Sequence, residues 1–194
     1  RTMDTRYSAD TGGKKVTAVT EMRLREAEGS SASIGLLVSI LVRYPEICTI
    51  SYVPESRTLD FSFMVSRRVE QEEIKAFADR ALSSIQVYLS LIRLQGEPEL
   101  RITGSYVGNI TQIQITRDVA TLTADEISLL IGLILQGFGE NLISDRSDDL
   151  EEEDLIVQEE FIANLLADLK ETVQDKRLIG FREEGRVVVF NKTA

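Results

Sequence analysis

The stretch from Asp145 to Glu160 holds the densest potential chemistry in the chain, with nine carboxylates against a single base, Arg146. Clustered carboxylates can hold Ca²⁺ or Mg²⁺ through hard oxygen ligands. Asp145, Ser147 and Asp149 occupy the first, third and fifth positions of a calcium-loop pattern. The pattern then breaks: the sixth position, where a sharp turn needs Gly, is Leu150, and the twelfth, where Glu is needed, is Ile156. Asp145, Asp148, Asp149 and Glu153 are the candidate metal ligands. The competing reading is that the acids from Asp148 to Asp154 solvate the first turn of a helix and favour its positive end.

A second candidate site is Ser30, Ser31 and Ser33, which follow Gly29 at the entry to an apolar helix. Hydroxyls and unsatisfied N–H groups at a helix N-terminus can hold a carboxylate or phosphate, although ordinary capping asks for the same residues. Phosphate loops are absent from the sequence: there is no GxxxxGK[ST], and Gly137 and Gly139 do not extend to GxGxxG. The chain has no histidine, which removes imidazole catalysis and the commonest metal ligand. Its lone cysteine, Cys48, lies in an apolar run with no basic neighbour in sequence, the setting of an inert buried thiol. No catalytic residue is assigned and no cofactor is expected.

Net charge is -10, from 22 basic and 32 acidic residues. Because the acidic run carries most of it, the rest of the chain is nearly neutral. Lys176, Arg177, Arg182, Arg186 and Lys192 make the C-terminal region locally basic, but Glu183, Glu184 and the upstream acids oppose them. A nucleic-acid partner is therefore disfavoured, since phosphate binding needs a clear cationic surface. Single-cysteine usage and a polar N-terminus without a signal-like apolar run suit a cytoplasmic protein. The longest apolar runs, Ile34–Val42 and Leu129–Leu135, are too short to span a bilayer, so no membrane insertion is expected.

Periodicity supplies the elements that would position these groups. Val16–Glu26 alternates weakly as a strand, and Ser30 or Ser31 caps a helix reaching about Tyr44, before Pro45. Ile47–Val53 and Leu59–Val65 form a hairpin whose second strand turns Leu59, Phe61, Phe63 and Val65 to one side. A helix over about Val69–Leu94 follows, then a second hairpin, Leu100–Val107 and Ile110–Arg117, linked by Gly108 and Asn109. Thr123 and Glu126 form a capping box for a helix reaching about Asn141. An amphipathic helix over about Leu150–Val173 and a third hairpin, Leu178–Arg182 with Arg186–Asn191, complete the chain.

The order from Val16 to Val107 is that of a ferredoxin-like βαββαβ core, an antiparallel sheet with its helices on one face. It would be extended by an extra strand, two helices and a C-terminal β-hairpin, in an α+β protein. A competing description is a helix followed by a hairpin, three times over, beginning near Ser31, Val69 and Leu150. Residues 1–14 are expected to be disordered or foreign to the native chain, 15–143 to form the core domain, and 144–194 to form an acidic connection, helix and hairpin appended to it. Two helices apolar nearly all round ask for much covering surface, which points to a homodimer or a protein partner. Full burial between the sheet and the C-terminal helix is the alternative. The function expected is a non-enzymatic regulatory or protein-interaction module, ahead of a carboxylate- or metal-dependent enzyme and of a nucleic-acid module working through the terminal hairpin.

Overall fold

A computed structural model of the chain describes residues 7–10, 29–145, 152–172 and 174–192. The described elements run in the order β1 (Tyr7–Asp10), α1 (Gly29–Arg43), β2 (Thr49–Val53), β3 (Thr58–Val65), α2 (Gln71–Leu91), β4 (Leu100–Val107) and β5 (Ile110–Asp118). Then come α3 (Ala124–Phe138), a 3-10 turn over Gly139–Asn141, β6 (Leu142–Ile143), α4 (Glu152–Glu171), β7 (Leu178–Glu183) and β8 (Arg186–Asn191). The protein is α+β, with an open sheet in the order β1-β8-β7-β2-β3-β5-β4 and every described pairing antiparallel. Short β6 pairs with the end of β3.

The ferredoxin-like order is not the one these strands adopt. It would set the first strand between the third and fourth, and that strand candidate, 16–26, lies outside the described residues. The place between β3 and β4 belongs to β5. The physical reason is local: Gly108 takes a left-handed φ of 61° in a two-residue turn, which returns the chain directly beside β4. The buried side of β5 then matches the buried side of β3, with Ile115 opposite Phe61 and Ile113 opposite Phe63. The described order instead repeats a helix followed by a hairpin, as α1–β2–β3, α2–β4–β5 and α4–β7–β8.

Residues opposite one another across a ladder share a sheet face, which fixes where the helices lie. Gly180, Ile50, Phe61, Ile115 and Ile102 form one continuous row across β7, β2, β3, β5 and β4. A Cβ on Gly180 would come within 2.9 Å of Leu41 in α1, and a Cβ on Gly104, on the same face of β4, would run into Ile74 of α2. Both glycines let a helix settle against the strand. The opposite face of the sheet carries Thr49, Ser51, Ser62, Gln112 and Gln114, the alternation expected from the β3 sequence.

Helix α1 is buried on nearly every side, with Leu36, Leu37, Ile40 and Leu41 fully excluded from solvent. It lies between the sheet and α4, contacting β2, β7 and β8 below and α4 above. Its all-round apolar character is therefore satisfied within one chain and does not require a second copy. The segment expected as an appendage supplies that cover, and its hairpin joins the same sheet beside β2. Strand β1, within the stretch expected to lack structure, pairs with β8. Helix α3 packs on α2, where Phe77 and Phe138 meet with ring centroids 5.1 Å apart.

Candidate functional site

The densest buried charge in the described residues lies where β5 meets α3, outside every site proposed from sequence. Arg117 and Glu126 are both wholly excluded from solvent. Arg117 faces inward because its neighbours along β5 alternate, and Glu126 does so because it is the third residue of α3. The Arg117 guanidinium donates from Nε and Nη2 to the two oxygens of Glu126, at 2.5 and 2.9 Å. This bidentate fork is the strongest arrangement available to that pair. Nη1 donates to Asp118, to the Thr121 hydroxyl at 2.9 Å and to the Glu99 carbonyl. The capping box is realised in half: Thr123 Oγ1 accepts from the Glu126 N–H, while the Glu126 carboxylate turns to Arg117.

Around this pair the charges are arranged to hold rather than to react. Asp118 accepts from the Thr121 N–H and hydroxyl and from the Glu99 N–H. Burial works against its ionisation, but the Thr121 bonds, the Arg117 charge and the Glu99 N–H outweigh it and hold its carboxyl below the ordinary value. Burial lowers the pKa of nearby Lys170, with repulsion from Arg117 adding to it and Asp118 and Glu126 opposing. Arg57, from the β2–β3 turn, donates to the carbonyls of Leu169 and Lys170 and so caps α4.

The direction of the Asp118 shift fixes a pH dependence. A carboxyl whose folded pKa lies below its unfolded value contributes stability above the unfolded value and loses it as pH falls through the folded one. The stability advantage of the native chain over Asp118→Asn should therefore be full at neutral pH and shrink below about pH 4, where an unfolded aspartate begins to protonate. Urea titrations of both proteins across that range check it, and an advantage independent of pH would contradict it.

The residues proposed from sequence are dispersed. Ser30 lies in the first turn of α1 and Ser31 is exposed. Ser33 is buried and accepts a 2.6 Å hydrogen bond from Gln174 Nε2, which ties the approach to β7 onto α1. Asp145 is exposed after β6, with its N–H donating to the Pro45 carbonyl. Asp148 and Asp149 lie outside the described residues, and Glu153 is the second residue of α4. Among the described residues no group of three or more His, Cys, Asp or Glu is placed to hold a metal ion. Cys48 is half-buried, and burial pushes its thiol up, with the Arg182 charge a smaller opposing influence. At neutral pH it is a thiol, not a nucleophilic thiolate.

A group of exposed apolar residues lies on elements that are amphipathic in the ordinary way, so the periodicity of buried stripes does not mark it. Among the described residues, nine large apolar side chains are exposed, and six of them fall between Leu82 and Val107. On α2 these are Leu82, Val87 and Leu91, the last 77% exposed; Ile92 and Leu94 follow in the link, and Val107 ends β4. The signal was present as a count of charges. No charged residue occurs in Ala81–Ile92 or in Ile102–Thr116, although 28% of the chain is charged.

No family model matches the chain, and neither a curated protein nor a solved structure matches it. Among the described residues, no helix is long and apolar enough to cross a membrane.

Proposed function

We propose that this chain is a non-enzymatic protein-interaction module that works from the cytoplasm. The observation carrying this reading is the concentration of exposed apolar side chains on the second half of α2 and the link that follows it, from Leu82 to Leu94. Scattered apolar residues are ordinary on a protein surface, whereas a run of them without interspersed charge has the composition of an interface core. The buried Arg117–Glu126 pair favours the same reading, because its hydrogen-bonding capacity is spent within the fold.

The test is a surface substitution that leaves the core alone. Val87→Glu with Leu91→Glu adds two charges at positions that are 60% and 77% exposed, so the melting temperature should stay within a few degrees of the native value. Association of the chain, with itself or with a partner purified from its own cells, should fall at least tenfold. A double variant that keeps every association of the native chain would overturn the reading.

A further inference from the structure

We propose that the free edge of β4 and the side of α2 above it take an extended segment of another protein, added antiparallel to β4 as a further strand of the sheet. The inference rests on the interaction-module reading and adds to it a partner class and a second docking place, built on other atoms than Val87 and Leu91. Strand β4 ends the described sheet order, and all eight of its residues pair with β5 in unbroken register. Across a two-residue turn the flanking pair, Val107 with Ile110, exchanges both of its hydrogen bonds, and such pairs alternate along an antiparallel ladder. The Asp118 N–H donating to the Glu99 carbonyl keeps the same alternation at the far end. The backbone groups of Arg101, Thr103 and Ser105 are therefore spent on β5. Those of Leu100, Ile102, Gly104 and Tyr106 point to the free edge, where no strand meets them among the described residues. Edges that stay unpaired are commonly blunted by proline, by a bulge or by lysine. β4 has none of these, and Arg101 is its one charge.

The flank of this edge is apolar. Ile102 is half-buried, although Ile115 opposite it on β5 is fully excluded from solvent. The difference is the missing neighbour, since β5 has a strand on each side and β4 has one. Above the edge, α2 sets Ile74 over Gly104 and turns Phe77 toward α3. Helix α3 lies inward, between α2 and α4. At about 3.6 residues per turn, Leu82 then falls on the side of α2 away from α3, over the free edge, while Val87 and Leu91 turn the other way. Leu82 is 38% exposed.

These surroundings select the occupant. A row of N–H and C=O groups repeating at every second residue is matched by an extended backbone, whose side chains alternate between the two faces of the sheet. Those on the helix side lie beside Leu100 and Ile102 and beneath Leu82, a setting for apolar residues. Those on the other side lie beside Arg101, Thr103 and Ser105, all exposed. Arg101 makes no ion pair among the described residues, so a carboxylate across from it completes a cross-strand pair. A second β4 has an arginine where that acid belongs and a glycine among the residues that would sit beneath α2. The chain's own acids do not oppose the carboxylate here, because they are concentrated in 145–160 and α4 packs over α1 and α3.

The probes are synthetic octapeptides alternating valine with threonine, each with one threonine replaced by aspartate. Binding of the best of them to the full chain should slow hydrogen exchange at the Ile102 and Gly104 amides and leave Thr103 and Ser105, already bonded to β5, unchanged. Arg101→Glu should weaken that binding roughly tenfold, and lysine in place of the peptide's aspartate should restore it. Ile102→Pro removes one outward donor without touching a bond to β5 and should abolish binding; if that variant misfolds, the charge swap at exposed Arg101 still decides. Val87→Glu with Leu91→Glu should leave peptide binding unchanged. The proposal is overturned if no peptide binds at about 1 mM, if a bound peptide leaves Ile102 and Gly104 unprotected, or if the charge swap has no effect. Protection of those two amides in the free chain, lost on dilution, would place a second copy on the edge and overturn it too. If the peptides fail while the Val87, Leu91 variant loses its associations, the groove fails and the interaction module stands.

Discussion

Glu126→Ala should cost about 3–5 kcal/mol of folding stability, because it strips the partners from Nε and Nη2 of a fully buried guanidinium and leaves Asp118 as its remaining counter-charge. Arg117 is fully excluded from solvent and gives two of its hydrogen bonds to Glu126. The loss is expected to appear in urea unfolding as a lower midpoint with an unchanged slope. The pair itself is not the source of that energy. Replacing both members by apolar residues, Arg117→Met with Glu126→Leu, should recover most of the loss, since the desolvation cost of two buried ions disappears with them. Asp118 keeps its bonds from Thr121 and Glu99 in that variant. A single substitution costing under about 1 kcal/mol, the range of an exposed pair, would mean that water reaches the site.

Arg182→Ala should cost about 1–3 kcal/mol through a different route, the loss of three donations to backbone carbonyls, which leaves the Ile47 carbonyl without its Arg182 donor. From β7 the guanidinium donates to Ile47 at 2.9 Å, to Tyr44 at 3.2 Å and to Pro45 at 3.4 Å. These carbonyls lie between α1 and β2, where Tyr44 also accepts from the Ile47 N–H and Pro45 from the Asp145 N–H. Arg182→Lys should recover less than half of the loss, because a single ammonium cannot span the same set of acceptors. Chemical denaturation of the two variants side by side checks both numbers. Equal stability of the lysine variant and the native chain would show that charge alone, without the fork, closes this corner.

Much of the secondary structure could be read from local pattern. Both strands of the β4–β5 hairpin were bounded to within a residue by Gly108 and Asn109, and Thr123 announced the start of α3. Pro45 marked the end of α1. These signals are legible because each acts within a few residues of itself. What sequence could not supply was pairing at a distance. Nothing local distinguishes β5 beside β3 from an unseen first strand beside β3, and that choice separates the observed sheet from a ferredoxin-like one.

The site residues divide along the same line. Arg117 and Glu126 stand nine positions apart in sequence, in a strand and a helix, and in sequence Glu126 reads as a capping-box residue and Arg117 as an ordinary charge at the end of a strand. Only the turn through Asp118 and Thr121 aims them at one another. The acidic run attracted attention by density, yet density alone does not bring oxygens onto one point. The exposed apolar side of α2 is legible as an absence, a stretch from Ala81 to Ile92 without charge. Apolar periodicity hid it, because a search for buried stripes passes over the exposed side of a helix.

The placement of the last hairpin sets a timetable for synthesis. β7 takes the side of β2 opposite β3, and β8 in turn holds β1, so residues 7–10 wait for residues 186–189 before they have a partner. Closing a loop of that length is entropically costly and slow. A growing chain can assemble α1 with β2 to β5 early, but it carries β2 as a bare edge until residues 178–183 emerge. The interval before β7 emerges is then a period of exposure to misassociation. A break in the chain before β7 would leave both β2 and β1 without their partners.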